Sequence, residues 1–304
     1  MMKYLAVLLI NILFCSLLLL HPKSGFYHMW EKDVMEHYSN DTSPDTRTYA
    51  YPPEKDPLRT VGYPLLLKLF MKFNNWIFLL LAFNCLVSTW FFYVTYKMIG
   101  HKTWILFFLG IFVIYTQMIL TDLLFAALFV TSIWQIKRLW LHFLLLGLAS
   151  LVNPALAWFF IIEPFVLYFN GYKDNRYILY ASVVIAFIVT SFNPARNFIN
   201  TGQWTHSTVM LYNIDHYYTN PLYFFKGFYY NAILPHTHWL FNNIAIDIFF
   251  ILINMVLWLK FGIKVIQNKV NWGYVLILIY LLGPTLFAVA GPRKMLPIEW
   301  ILLI

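Results

Sequence analysis

Apolar positions in this chain come in long blocks, with neither a two-residue alternation nor a one-sided helical stripe. The stretch YLAVLLINILFCSLLLL, from Tyr4 to Leu20, is broken only by Asn11 and Ser16. A helix built from such a block has no polar face, so it must be surrounded by apolar material on every side. Comparable blocks fall near 4–20, 76–96, 103–119, 121–136, 139–153, 155–170, 177–193, 243–262, 272–290 and 295–304. A hydrocarbon core of ~30 Å needs ~20 helical residues. The pattern therefore predicts an all-α, polytopic helical membrane protein with about nine or ten transmembrane helices. The last block would make only about 15 Å of helix. It is expected either to end inside the bilayer or to belong to a span cut short at residue 304.

Two polar segments interrupt the blocks, 21–75 and about 194–242, both rich in Pro, Tyr, Trp, His and Asn. Loops of this length are usually functional or disordered, and the aromatic content argues against disorder. They are expected to form external amphipathic loop helices lying on the membrane and capping one face. The first holds PDTRTYAYPPEKDPLRTVGYPLLLKLF, from Pro44 to Phe70, where a kinked polar stretch runs directly into an apolar helix.

Composition agrees with the pattern. The chain is 61% hydrophobic and 11% charged, whereas soluble chains are roughly 25% charged. Its net charge of +8 does not imply a nucleic-acid partner, because the charges lie between apolar blocks and form no basic run. Placing Lys3 in the cytoplasm and alternating sides collects Lys97, Lys102, Lys137, Arg138, Lys173, Arg176, Lys260, Lys264 and Lys269 on the same side, with Asp174 as the one acid. Nearly all other acids fall outside, as the positive-inside rule requires. The chain is thus expected in the cell inner (plasma) membrane as one multi-pass domain over 1–304. Lys3 and the block after it read as an uncleaved first helix, because HPKSG lacks a small-x-small cleavage site. Cys15 and Cys85 lie inside apolar blocks and read as small buried hydrophobes.

Several polar residues stand where chemistry could occur, each beside a plainer explanation. Asp45 in PDTRTYA suits a turn. Arg59, ahead of Gly62-Tyr63-Pro64, suits a headgroup anchor or a planar fork for a lipid phosphate. Asp122 follows a capping residue, Thr121, in a first helical turn where negative charge is favoured, yet acids at membrane depth are usually functional. Arg196 follows Pro194, which reads as a helix end, and Arg293 precedes the last block. Glu299 would lie within that block at a cost. His236 and His238 form an H-x-H pair with no third metal ligand at a recognisable spacing. Asn40-Asp41-Thr42 matches an N-glycosylation sequon. Glu163 lies beside Pro164 inside the sixth block, where it needs a neighbour.

The order of these elements resembles the polyprenyl-phosphate-dependent glycosyltransferases of the GT-C class, in particular the bacterial relatives of protein O-mannosyltransferases and of the lipid A aminoarabinose transferase. The likeness runs through Asp45-Thr46-Arg47-Thr48-Tyr49, then Arg59 to Leu67 (RTVGYPLLL), then Thr121-Asp122-Leu123-Leu124-Phe125. It continues through Gly147 to Pro154, Pro194-Ala195-Arg196-Asn197 with Thr201-Gly202, and Arg293 to Pro297. Asn153 stands where the family usually has Arg, and a Trp usual near Pro194 is missing. The family normally continues with further helices past the last motif.

The resemblance implies transfer of a sugar from a polyprenyl-phosphate donor to an acceptor hydroxyl on the extracytoplasmic face, with inversion. Asp45 would be the general base and Asp122 a second acid that orients the acceptor or, as in some relatives, a divalent metal. Arg59, Arg196 and Arg293 would grip the donor phosphate, and Tyr49 and Tyr63 would contact the sugar. The implied partners are the lipid-linked sugar, a glycan, lipid or protein acceptor, and the bilayer. No cofactor is legible beyond that metal option. The alternatives are a transporter or flippase of lipid-linked sugars, a glycan polymerase or ligase, and a non-catalytic scaffold. A transporter would be expected to show broken helices or acids near mid-membrane in paired repeats; the sequence shows no repeat and its acids cluster at one face, which favours external-face chemistry.

Overall fold

The computed structural model describes residues 2–20, 62–117, 121–156, 158–202, 204, 222–236, 243–283 and 295–304. Within them the regular structure is helical and no strand occurs. The helices are α1 (Met2–Leu20), α2 (Gly62–Phe70), α3 (Trp76–Ile99), α4 (Thr103–Phe108), α5 (Thr121–Trp134) and α6 (Leu139–Val152). They continue as α7 (Glu163–Phe169), α8 (Arg176–Thr201), α9 (Leu222–Phe228), α10 (Ile244–Ile266) and α11 (Trp272–Leu282), with a closing 3₁₀ turn at Glu299–Leu303. Helix α1 packs on α3, α3 on α5, α5 on α6, α6 on α8, α8 on α7, and α7 on α11. One continuous hydrophobic core joins them.

Among the described residues three helical stretches, against the nine or ten spans expected, are long and apolar enough to cross a membrane: Phe78–Phe108, Arg176–Arg196 and Ile244–Ile266. The first doubles back. Gly100 takes a left-handed φ of 63°, which a side chain would oppose. Phe112 then returns to pack on Phe91, and Thr116 returns to the level of Asn84. Met2–Ser16, Thr121–Trp134, Leu139–Val152 and Trp272–Leu282 are apolar but shorter. Exposed apolar side chains line the outer faces of α8 (Tyr180, Val184, Ile188) and α10 (Ile248, Leu252, Leu259).

The basic loops gather at one end of the bundle. Tyr172 Oη donates to the carbonyls of Ile136 and Lys137, and Asn271 Nδ2 donates to that of Phe169. Lys102 Nζ reaches the Leu303 carbonyl at 2.7 Å, and Lys264 Nζ reaches that of Ile304 at 2.8 Å. Lys3 lies over the Tyr96 ring, 3.3 Å from its centre. Lys102 and Lys264, two of the lysines grouped by alternation along the sequence, thus meet at the closing turn.

Three expectations change. Pro194 lies inside α8 rather than at its end. The helix stops instead at Gly202, whose φ of 74° suits a left-handed cap and whose N–H donates to the Phe198 carbonyl at 2.8 Å. Second, the described part of the second polar segment does not lie wholly at the surface. A π turn follows α9 at Tyr229–Ile233. Trp258 Nε1 donates to the Ala232 carbonyl and Asn254 Nδ2 to the Ile233 carbonyl, both at 3.0 Å. Those donors sit about 15–21 Å along α10 from its start, so the segment carrying Ala232 and Ile233 descends to that depth beside the helix. Third, two blocks are broken helices. The block at 103–119 unwinds after Phe108, where Gly110 has φ 83°. The block at 155–170 is two 3₁₀ turns followed by the short α7.

Candidate functional site

The end of α6 is a meeting point opposite the basic loops. A Cβ added to Gly62 would stand 2.7 Å from the Leu151 carbonyl oxygen, so only glycine lets the start of α2 rest on that backbone. Tyr63, next in sequence, is buried. Asn153 ends α6; its Nδ2 donates to Thr121 Oγ1 at 3.2 Å, while its Oδ1 accepts the Ala155 N–H at 3.0 Å. Thr121 opens α5, and Asp122 is buried in that helix's first turn, where the helix dipole favours a carboxylate. From α8, Asn193 Nδ2 donates to the Ser150 carbonyl at 2.9 Å. Arg196 lies one turn further on and is half-buried.

Tyr63, Asp122 and Arg196 therefore come from three separate helices to one end of the bundle, each within about a turn of Ser150–Asn153. Asp45, Tyr49, Arg59 and Arg293 lie outside the described residues. Asn153, which replaces the Arg of the resemblance, serves as the junction between α5 and α6. Among the described residues no group of three or more His, Cys, Asp or Glu side chains converges.

A second polar cluster lies inside the bundle. His236 Nδ1 is 2.7 Å from Tyr115 Oη, and His236 Nε2 is 2.6 Å from Glu299 Oε2. All three residues are buried. The chain joins the unwound segment after α4, the descending segment and the closing turn. Glu299 and His236 stood out in the sequence; Tyr115 did not, because a tyrosine in an apolar block carries no signal of its own.

A third cluster pairs His142 with Glu163. His142 Nε2 is 2.7 Å from Glu163 Oε1, and both side chains are fully buried. His142 Nδ1 faces the Ser132 carbonyl at 2.8 Å. A carbonyl only accepts, so Nδ1 carries a proton. The proton between Nε2 and Oε1 is then shared, and the pair is neutral overall whichever atom holds it. A histidine and a glutamate in separate apolar blocks were the available signal, since buried charges need partners.

The unwound backbone after α4 is satisfied from outside. Ser88 Oγ donates to the Phe112 carbonyl and Asn84 Nδ2 to the Thr116 carbonyl at 3.1 Å. Asn11 Nδ2 donates in turn to Ser88 Oγ at 3.2 Å. Backbone can leave a helix in an apolar setting only where protein groups replace its lost partners.

No protein-family model, curated protein or solved structure matches this chain.

Proposed function

We propose that the chain is a multi-pass membrane glycosyltransferase that moves a sugar from a polyprenyl-phosphate donor to an acceptor hydroxyl on the extracytoplasmic side. The reading is supported by the meeting of three helix segments at Ser150–Asn153, through Gly62, Thr121 and Asn193, which carry Tyr63, Asp122 and Arg196 within one turn, at the end away from Lys137 and Arg138. A polar sugar and its lipid carrier must meet where polar groups border apolar helices, and the exposed apolar faces of α8 and α10 supply that border. Arginine holds and neutralises the leaving phosphate. A carboxylate takes the acceptor proton; Asp45 fills that role in this reading, with Asp122 orienting the acceptor. Arg59 and Arg293 complete the phosphate grip.

The test is transfer of radiolabelled sugar from a polyprenyl-phosphate donor in membranes containing the protein. Asp45→Asn should lower the rate on the order of 10²–10⁴-fold. Full transfer by that variant removes the base assignment, and no transfer by the wild type under any donor removes the reading.

A specific observation favours a second reading, a transporter or flippase of lipid-linked sugars. Two apolar blocks are broken helices, and Glu163 and Glu299 are buried inside the bundle rather than at its outer end. Broken helices with interior acids are common in transporters. Movement of a labelled lipid-linked sugar between leaflets of reconstituted vesicles, without glycosidic cleavage, would favour this reading.

A further inference from the structure

We propose that Cys15 and Cys85 form a redox pair that closes to a disulfide, fastening α1 to α3. The two free thiols face each other across the helix contact with Sγ atoms 3.7 Å apart. A disulfide bond is about 2.05 Å long, so each sulfur need move only about 0.8 Å. The helices that carry them already pack together.

The chemistry of the surroundings selects among the things a thiol pair can do. Both cysteines are buried, and a neutral hydroxyl, Thr116 Oγ1, lies 3.6 Å from Cys15 Sγ. A soft metal ion such as Cu(I) held by two thiolates would leave a net negative charge here, and burying a charge is costly. A disulfide is neutral. The outer face of α1, with Leu9, Ile12 and Leu13 exposed, is apolar, so an oxidant approaching from that side must be lipid-soluble. A membrane quinone meets this requirement and balances the reaction. The two thiols give up two electrons and two protons, the S–S bond forms, and the quinone leaves as quinol.

Closure has a consequence next door. Cys15 Sγ now reaches Thr116, whose carbonyl Asn84 holds and whose neighbour Tyr115 holds His236. Drawing Cys15 toward Cys85 withdraws that contact from the unwound segment.

The experiment treats membranes containing the full chain with a fully substituted benzoquinone, which cannot add thiols, and in parallel with copper(II)–phenanthroline. The protein is then denatured in acid, alkylated, digested and analysed by mass spectrometry. The expected result is a linked peptide pair containing Cys15 and Cys85, two hydrogens lighter than the sum of its parts, with loss of alkylation at both sites. The linked chain should migrate as a monomer, and the pair should reappear as two alkylated peptides after reduction. Cys85→Ser should leave Cys15 alkylated under both oxidants. Full alkylation of both wild-type thiols after both treatments would overturn the proposal, as would a linkage found only between two chains.

Discussion

His236 Nε2 lies 2.6 Å from Glu299 Oε2, across 63 residues of sequence. The contact closes the bundle by tying a segment that descends beside α10 to the closing turn, with both groups buried. Removing one partner strands the other. His236→Ala should destabilise the protein by about 3–5 kcal/mol, the cost of breaking a buried pair. Glu299→Gln keeps an acceptor toward the ring and should cost less. Thermal unfolding in detergent measures both, and equal losses would show that the carboxylate, and not just an acceptor atom, is what the contact needs.

The His142–Glu163 pair should behave differently under single and double replacement. Glu163→Leu leaves a ring nitrogen without a partner in a site with no solvent and should cost several kcal/mol, again about 3–5. The double variant H142L/E163L removes both polar groups and should recover most of that loss. Unfolding midpoints of the two variants decide it; a double variant as unstable as the single would contradict the neutral-pair account.

Two glycines should give opposite results on conversion to alanine. At Gly62 the new methyl would stand 2.7 Å from the Leu151 carbonyl oxygen, and backbone cannot easily retreat, so Gly62→Ala should cost about 1–3 kcal/mol. At Gly262, inside α10, nothing lies within 4 Å. There Gly262→Ala should stabilise by about 0.5–1 kcal/mol through helix propensity alone.

Arg196→Ala should act on donor use rather than on folding. Losing a charge-assisted contact to phosphate is worth about 1.5–3 kcal/mol, which corresponds to roughly a tenfold to hundredfold rise in KM for the polyprenyl-phosphate donor. The acceptor KM should stay near its wild-type value. A rise in acceptor KM alone would remove Arg196 from the phosphate role.

Much of the helical architecture could be read from the apolar blocks, because a block without a polar face tolerates only helix in an apolar setting. The meeting of Lys102 with Lys264 at the closing turn agrees with grouping them by alternation along the blocks. The breaks did not. Unwinding after Phe108 is sustained by Ser88 and Asn84 on a different helix, and a periodicity measured along one segment has no access to its neighbours. Gly110 was a local cue, but glycine in an apolar block also serves close packing. At the candidate site, Gly62-Tyr63-Pro64 and Thr121-Asp122 were visible as turn and cap. Their convergence on Ser150–Asn153 depended on which helices pair. Pro194 misled for a related reason: it signals a stop, but Gly202 supplies a better one two turns later.

The attachment of Ala232 and Ile233 to Trp258 and Asn254 also bears on the order of assembly. Their side-chain partners lie more than twenty residues downstream, and the partner of His236 lies 63 residues downstream. While the chain is being synthesised, this segment has no place to dock until α10 has emerged, and its histidine has no acid until Glu299 follows. The descending segment is therefore among the last pieces to settle.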